Sequence, residues 1–429
     1  MKMMFKFFLA LTIFLLPWQT RWIFFDQQLF SNTWEYGRLS LYANMLTLLL
    51  ALIFYLAQKN KIKIKNIFDK FSSKLLALTL IYFWLINLWQ PMPEVTFYYV
   101  VLLASTILFI YLLKQVSKKF VITSFFASGI IQGLLAIWQI LQQQVIANKW
   151  LGLAEHLPAT LGTSVVEHGL DRILRAYGSL PHPNILGGFL VLAALAGLWW
   201  WQHIYSQAAK DNWAGKNFKK HIAQLLFVLV GQLIIIFALL LTFSRSAVLS
   251  LLLTLIIIFV WSLYKKKYLI TQILVKILIV FALIFLMLHI LFPGAWISRF
   301  QSDQRLEVKS TTERLASTQQ IDWHNPKELI FGQGFGLNTY RNLESSQPAY
   351  EVQPIHNVFL LSLAEVGIIG FILLINLIYL YWPRHLAKDW FWWASAFLII
   401  GLFDHYFWTT WAGWMMVAII WSNLISKKE

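Results

Sequence analysis

Apolar runs of nearly twenty residues recur along the whole chain, and they leave few folds open. A helix needs about 20 predominantly apolar residues to cross a bilayer. Twelve segments approach that length, at about 5–18, 40–57, 74–90, 96–113, 120–141, 186–202, 222–243, 247–264, 269–292, 357–383, 389–405 and 407–425. Backbone in hydrocarbon must satisfy its own polar groups, so only helices or closed barrels span. Barrel strands alternate apolar and polar residues, whereas these runs are apolar throughout. Charged residues make up 13% of the 429 positions, against about 25% in soluble domains. The expected fold is all-α: a polytopic membrane protein of about twelve transmembrane helices forming a single integral domain over 1–429. Cysteine is absent, which removes disulfides, thiolate nucleophiles and cysteine metal sites.

A net charge of +16 suggests nucleic acid until the charges are placed on this topology. With both termini inside, the inner side holds 23 Lys/Arg and the outer side 12. The inner set includes Lys59, Lys61, Lys63, Lys65, Lys70 and Lys74, then Lys265, Lys266 and Lys267. This is the positive-inside pattern, and such lysines contact anionic headgroups. The type of cation is sorted too. On this topology 22 of 25 lysines fall inside and 9 of 10 arginines outside. Lysine suffices for diffuse surface charge, whereas the planar guanidinium binds phosphate bidentately. The outer face is therefore built to hold an anion.

The segment from Met1 to Thr20 has the lysines and apolar core of a signal peptide. It lacks a small-x-small cleavage site and reads as an uncleaved first span. Two outside loops, 142–185 and 293–356, are long. Loops beyond about 15 residues are usually functional or disordered. These are rich in Trp, Tyr, His, Pro and Gly, so both are expected to be structured.

Within the first loop, Arg175 precedes Gly178-Ser179-Leu180-Pro181-His182-Pro183-Asn184. His-Pro-Asn fits a turn that opens the next helix, with Asn184 near the N-cap. Arg175 and His182 either serve that turn or face a substrate. In the second loop, Thr312 is placed to cap a short amphipathic helix running to Trp323 and stopped by Pro326. The run Gly332-Gln333-Gly334-Phe335-Gly336 lacks the βαβ context of a dinucleotide fingerprint. It suits a tight loop whose N–H groups approach something anionic.

Three cations stand at or near helix mouths. Residues 222–264 are apolar except around Arg245. As one helix they would exceed about 60 Å, too long for a single crossing. Two helices must meet at Ser244-Arg245-Ser246, which pins Arg245 at the outer surface, either on lipid phosphates or in a defined anion site. Arg314 lies inside the second loop. His356, in Pro354-Ile355-His356-Asn357, stands where that loop enters a span. It either caps the helix or exchanges a proton near neutral pH. Glu365-x-Gly367-x-x-Gly370 reads as a close-packing helix face whose carboxylate has a partner. Asp404-His405, closing the eleventh span, either supports the site or anchors at the interface. There is no Asp-x-Asp pair, no His-Glu-x-x-His and no P-loop. No metal and no cofactor are expected, and any phosphate is to be neutralised by arginine.

In order and spacing, several segments resemble the superfamily of O-antigen ligases and O-antigen polymerases. They are Thr242-Phe243-Ser244-Arg245-Ser246-Ala247; Glu313-Arg314-Leu315 through Trp323 and Pro326; Gly332-Gln333-Gly334-Phe335-Gly336; and His356-Asn357-Val358-Phe359-Leu360 with Glu365-Val366-Gly367-Ile368-Ile369-Gly370. The resemblance centres on about 175–380. It implies a GT-C-like membrane fold with two periplasmic loops. It also implies metal-independent transfer of a glycan from undecaprenyl diphosphate to a hydroxyl on lipid A-core, on another glycan or on protein, at the outer face of the inner membrane. Carried over by position, Arg245 and Arg314 bind the diphosphate and His356 activates or orients the acceptor. Arg175, His182, Gln333 and Asn357 are the expected substrate contacts. A second histidine, His324, departs from the pattern and competes for the role of base. The bottom-up chemistry agrees: a glycosyl diphosphate already carries a leaving group, so charge stabilisation and one base suffice. A flippase for lipid-linked oligosaccharides would favour inverted repeats and broken helices near the midplane. A structural scaffold would not need arginines on one face.

Overall fold

The computed structural model describes residues 1–30, 32–58, 70–86, 88, 90–168, 171–211, 217–292, 294–299, 305–343, 352–380 and 389–424. The lysines at 59, 61, 63 and 65, and parts of the second loop at 300–304 and 344–351, lie outside the described residues.

Every apolar segment read from the sequence contains a helix. In chain order these are α1 (Lys2–Phe14), α2 (Ala43–Leu56), α3 (Lys70–Ile86), α4 (Pro93–Leu113), α5 (Lys118–Gln142), α6 (Pro183–Lys210), α7 (Phe218–Leu241), α8 (Arg245–Tyr264) and α9 (Tyr268–Leu291). The second loop adds α10 (Ala295–Ser298), α11 (Arg305–Ser317), α12 (Pro326–Phe331) and α13 (Asn338–Arg341). The chain closes with α14 (Val358–Leu380), α15 (Trp390–Phe403), α16 (Tyr406–Thr409) and α17 (Trp411–Leu424). Among the described residues, seven helices are long and apolar enough to cross a membrane: α4 to α9 and most of α14. The chain is a multi-pass helical membrane protein.

Three features differ from the sequence expectation. The fold is not purely helical, because short antiparallel strands cap one end. β1 (Arg21–Phe25) pairs with β4 (Leu39–Tyr42), β2 (Gln28–Leu29) with β3 (Asn32–Thr33), and β5 (Val165–His168) with β6 (Asp171–Leu174). β1 is too short, and its burial too irregular, to show a clean period-2 signal. In the second loop, α11 begins at Arg305 rather than at a Thr312 cap and ends at Ser317. Pro326 opens α12 instead of stopping a helix: Asn325 Oδ1 accepts from Glu328 N at 3.3 Å, and proline at the first helical position forfeits no hydrogen bond. Finally, α6 is capped by His182, not Asn184.

α6 is the axis of the bundle. Its side chains are buried almost throughout, against α5, α7, α8 and α15. Gly187 and Gly188 let neighbours approach closely, as small residues do in membrane interfaces. A Cβ on Gly187 would lie 2.7 Å from the Ala247 Cβ, and one on Gly188 would collide with the Tyr406 hydroxyl. α6, α8 and α14 all begin at the end that carries the two long loops. Their partial positive N-terminal charges therefore gather there. At the opposite, lysine-rich end, Lys118 bridges the Asp389 carboxylate at 2.7 Å and ties α5 to the start of α15.

Candidate active site

A cavity of about 380 Å³ lies at the loop end, walled by the β1–β4 region, the first loop, and the segments entering α6, α14 and α16. Its lining includes Arg21, Tyr36, Tyr98, His182, His356, Asp404 and His405. The ionisable groups His356, Asp404 and His405 cluster within it.

His356 sits between α11 and α14. Its N–H reaches the Ser317 hydroxyl at 3.4 Å, and the next residue fixes the entry to the helix. The Asn357 side-chain oxygen accepts from Phe359 N and Leu360 N, both at 3.0 Å, and its amide donates to the Leu402 carbonyl at 3.3 Å. Asn357 thus caps α14 and pins it to the end of α15, so the cap at this mouth is not the histidine. The His356 ring is left for other work. Its Nδ1 is buried and makes no hydrogen bond among the described residues. Its ring centroid stands 5.0 Å from that of His405. Burial holds its pKa below the ordinary value; Asp404 opposes that shift and Arg314 adds to it. The imidazole is therefore neutral at pH 7 and able to take a proton.

Asp404 is buried beside it. One oxygen accepts from the Asn184 amide at 3.2 Å and the other from the His405 N–H at 3.0 Å. The His405 Nδ1 pairs with the Thr409 hydroxyl at 2.9 Å. His182 is fully committed. Its Nδ1 accepts from Asn184 N at 3.1 Å, so in the neutral ring Nε2 carries the proton and donates to the Ser164 hydroxyl at 3.0 Å. Burial, aided by the Arg175 charge, pushes its pKa down to about 3. It is a cap on the cavity wall, not a base.

The arginines differ among themselves. Arg175 is buried: Nε donates to the Thr242 carbonyl at 2.8 Å and Nη2 to the Asn184 side chain at 2.7 Å. It stitches the first loop to the α7–α8 corner. Arg245 opens α8 just after Phe243, which adopts a left-handed φ of 48°, and after the Ser244 cap. Its Nη1 donates to the Arg299 carbonyl at 3.0 Å. Arg299, in turn, donates to the Phe243 carbonyl at 3.1 Å. Two guanidiniums therefore share the α8 mouth, and Arg299 was not singled out from sequence, where nothing but its outside position marked it. Arg314, on α11, comes close enough to depress the pKa of His356. Its Nε is buried and makes no hydrogen bond among the described residues.

Arg245 and Arg314 do not line the 380 Å³ cavity. Polar links run from the α8 mouth towards it: Thr242 O to Arg175, Arg175 to Asn184, Asn184 to Asp404. Gln333 stays within its own loop. Its amide donates to Gln320 O at 2.9 Å and its oxygen accepts from Asn338 at 3.1 Å. His324 is exposed in a turn, its N–H on Asp322 at 3.0 Å. The loop N–H groups of Gly336 and Asn338 do meet an anion, but it is the protein's own Glu365, at 2.9 and 3.4 Å. Trp408 completes that carboxylate at 2.7 Å.

His356, Asp404 and His405 each bring a donor atom within 4.8 Å of the others, a spacing a metal ion could bridge. The Arg314 charge beside them opposes a cation there.

Residues 230–375 match the family model described as O-antigen ligase. That segment, about a third of the chain, is what the chain shares with the O-antigen ligase family. Among curated proteins, none matches the chain. The O-antigen ligase segment carries Arg245, Arg299, Arg314 and His356, whereas Arg175, His182, Asp404 and His405 reach the site from outside it. The Asp404-His405 pair had one sequence signal, two ionisable residues ending an apolar run, and that signal reads equally as an interfacial anchor.

Proposed function

We propose that the chain is a glycosyltransferase of the O-antigen ligase type. It moves a glycan from an undecaprenyl diphosphate carrier to an acceptor hydroxyl at the periplasmic face of the inner membrane. The observation that carries this reading is the neutral, half-buried His356 on the cavity wall, its buried Nδ1 without a hydrogen bond among the described residues, beside Asp404 and Arg314. In the step, the acceptor oxygen forms a bond to the anomeric carbon and the bond from that carbon to the diphosphate breaks. The proton passes to His356. The negative charge on the departing diphosphate is met by Arg245 and Arg314 and by the N-terminus of α8. Asp404 holds the resulting imidazolium, as an oriented carboxylate does in other base-assisted transfers. His182 stands in the cavity wall, Arg175 and Asn357 hold the elements behind it, and Gln333 fixes the neighbouring loop.

The full proposal is one membrane domain with twelve crossings, both termini cytoplasmic, no metal and no cofactor. An acceptor that is itself lipid-linked would make the same chemistry a polymerase. Two experiments test the reading. Transfer from a purified lipid-linked donor should survive EDTA and need no ATP; strict dependence on a divalent ion would sink the arginine-based site. Reporter fusions after Lys267 should read cytoplasmic and fusions within 310–345 periplasmic; the reverse would overturn the topology.

A further inference from the structure

A second and larger cavity, of about 1020 Å³, runs along the bundle between α1, α4, α14 and α17. It lies at the upper end of the range for small-molecule sites, about 300–1,000 Å³. Its walls are overwhelmingly apolar, from Phe359 and Phe407 near the loop end to Ile378 and Trp421 near the other. At the lysine-rich end it is lined by Lys2, Lys6 and Lys114, and no carboxylate is among the described residues that line it. The catalytic reading uses none of these groups.

We propose that this cavity holds one anionic phospholipid of the leaflet at the lysine-rich end, its phosphate among Lys2, Lys6 and Lys114 and an acyl chain along the apolar wall. Three observations converge on that occupant. The three ammonium groups make no ion pair with any described residue. Lys114 is half-buried, and burial holds its pKa below the ordinary lysine value, a cost that an anionic partner removes. The Tyr55 and Tyr111 hydroxyls also line the cavity, 2.9 Å apart. Whichever donates to the other, one O–H remains to donate elsewhere. Tyr111 lies three residues before Lys114 on α4, so its backbone stands about 4.5 Å further into the bundle than that of the lysine. Hydroxyl donors on the apolar side of the lysines suit the ester carbonyls of such a lipid. A neutral lipid would leave three cations uncompensated. A carrier diphosphate held by Arg245 and Arg314 belongs to the opposite end, so this lipid is a different molecule.

The test uses the purified full chain in a neutral detergent, followed by native mass spectrometry and thermal unfolding. The probes are phosphatidylglycerol and phosphatidylcholine of equal chain length. A juxtamembrane lysine favours anionic lipid by about five-fold, so a preference for phosphatidylglycerol of at least about ten-fold is expected. Lys2→Ala/Lys6→Ala/Lys114→Gln should abolish the preference while residual binding of both lipids remains. Thr106→Trp, which fills the cavity, should remove both. Because these readouts are binding and not transfer, they stand whether or not the glycosyltransferase reading does. Equal binding of the two lipids, or an undiminished preference in the triple variant, would overturn the proposal. Displacement of phosphatidylglycerol by a polyprenyl phosphate would assign the cavity to the carrier tail instead. Should the triple variant fail to fold, Lys114→Arg, which keeps the charge, and Lys114→Gln, which removes it, provide the comparison.

Discussion

Two helix mouths at the loop end face related problems and solve them differently. At α8, Ser244 caps the helix and Arg245 stands with Arg299, two planar guanidiniums side by side. At α14, Asn357 caps the helix and His356 stands neutral beside a buried carboxylate. In both cases a side-chain oxygen caps the helix and leaves the adjacent ionisable residue for the site. The contrast teaches that the proposed site separates charge from proton transfer. In the proposed reaction one mouth meets the anion, and the other holds the group that takes the proton.

The sharpest way to break that division is to remove the base. His356→Ala should lower turnover by about 10²–10⁴-fold, the usual contribution of a positioned base, with donor affinity nearly intact. His324→Ala, in an exposed turn, should change little. Side-by-side turnover and donor binding decide; equal small losses would leave His356 as a diphosphate ligand.

The charge mouth should respond in the other parameter as well. Arg245→Ala should cost about 10²–10³-fold, the scale for one lost transition-state donor, and should weaken donor binding too. Arg245→Lys keeps the charge without the fork and should recover only part of the loss. Wild-type transfer in both variants, at normal membrane abundance, would return Arg245 to lipid anchoring.

The smallest effect sharpens the comparison most finely. The active form of His356 is neutral, and its pKa lies below the ordinary histidine value. Turnover should therefore be flat around neutrality and fall as pH drops through that lowered value. The Asp404 charge raises this pKa, so Asp404→Asn should move the acid limb to lower pH. An acid limb that moves upward, or does not move, would show that Asp404 does not act on His356 electrostatically.

The membrane helices were legible in the sequence because crossing a bilayer demands long apolar runs. α8 was placed because a lone arginine splits a run too long for one span. Arg245, Arg314 and His356 stood out because ionisable groups are rare in such a chain. The caps at His182 and Asn357 act only two or three residues along the chain, but the links that tie these two helix mouths to other elements were hidden because they join residues tens to hundreds of positions apart. The Asn357 amide reaches across 45 residues, and Asn184 meets Asp404 across 220. Glu365-Val366-Gly367 read as a packing face for the same reason: nothing local announced that Gly367 leaves the helix, with φ 66° and ψ 178°.

That break in α14 has a bearing on how a glycan reaches the site. Where the helix opens, the carbonyls of Ala364, Glu365 and Val366 are served from elsewhere: by Gln333 N at 2.8 Å, Gly334 N at 3.0 Å and the Tyr82 hydroxyl at 3.2 Å. A side chain on Gly332 or Gly367 would collide with the other strand of this junction. Lifting the glycine loop would strand at least two carbonyls where water is scarce, at a cost of several kcal/mol for each group. The loop is therefore a hem sewn to the helix, not a flap. Any exchange at the proposed site therefore proceeds with this loop in place.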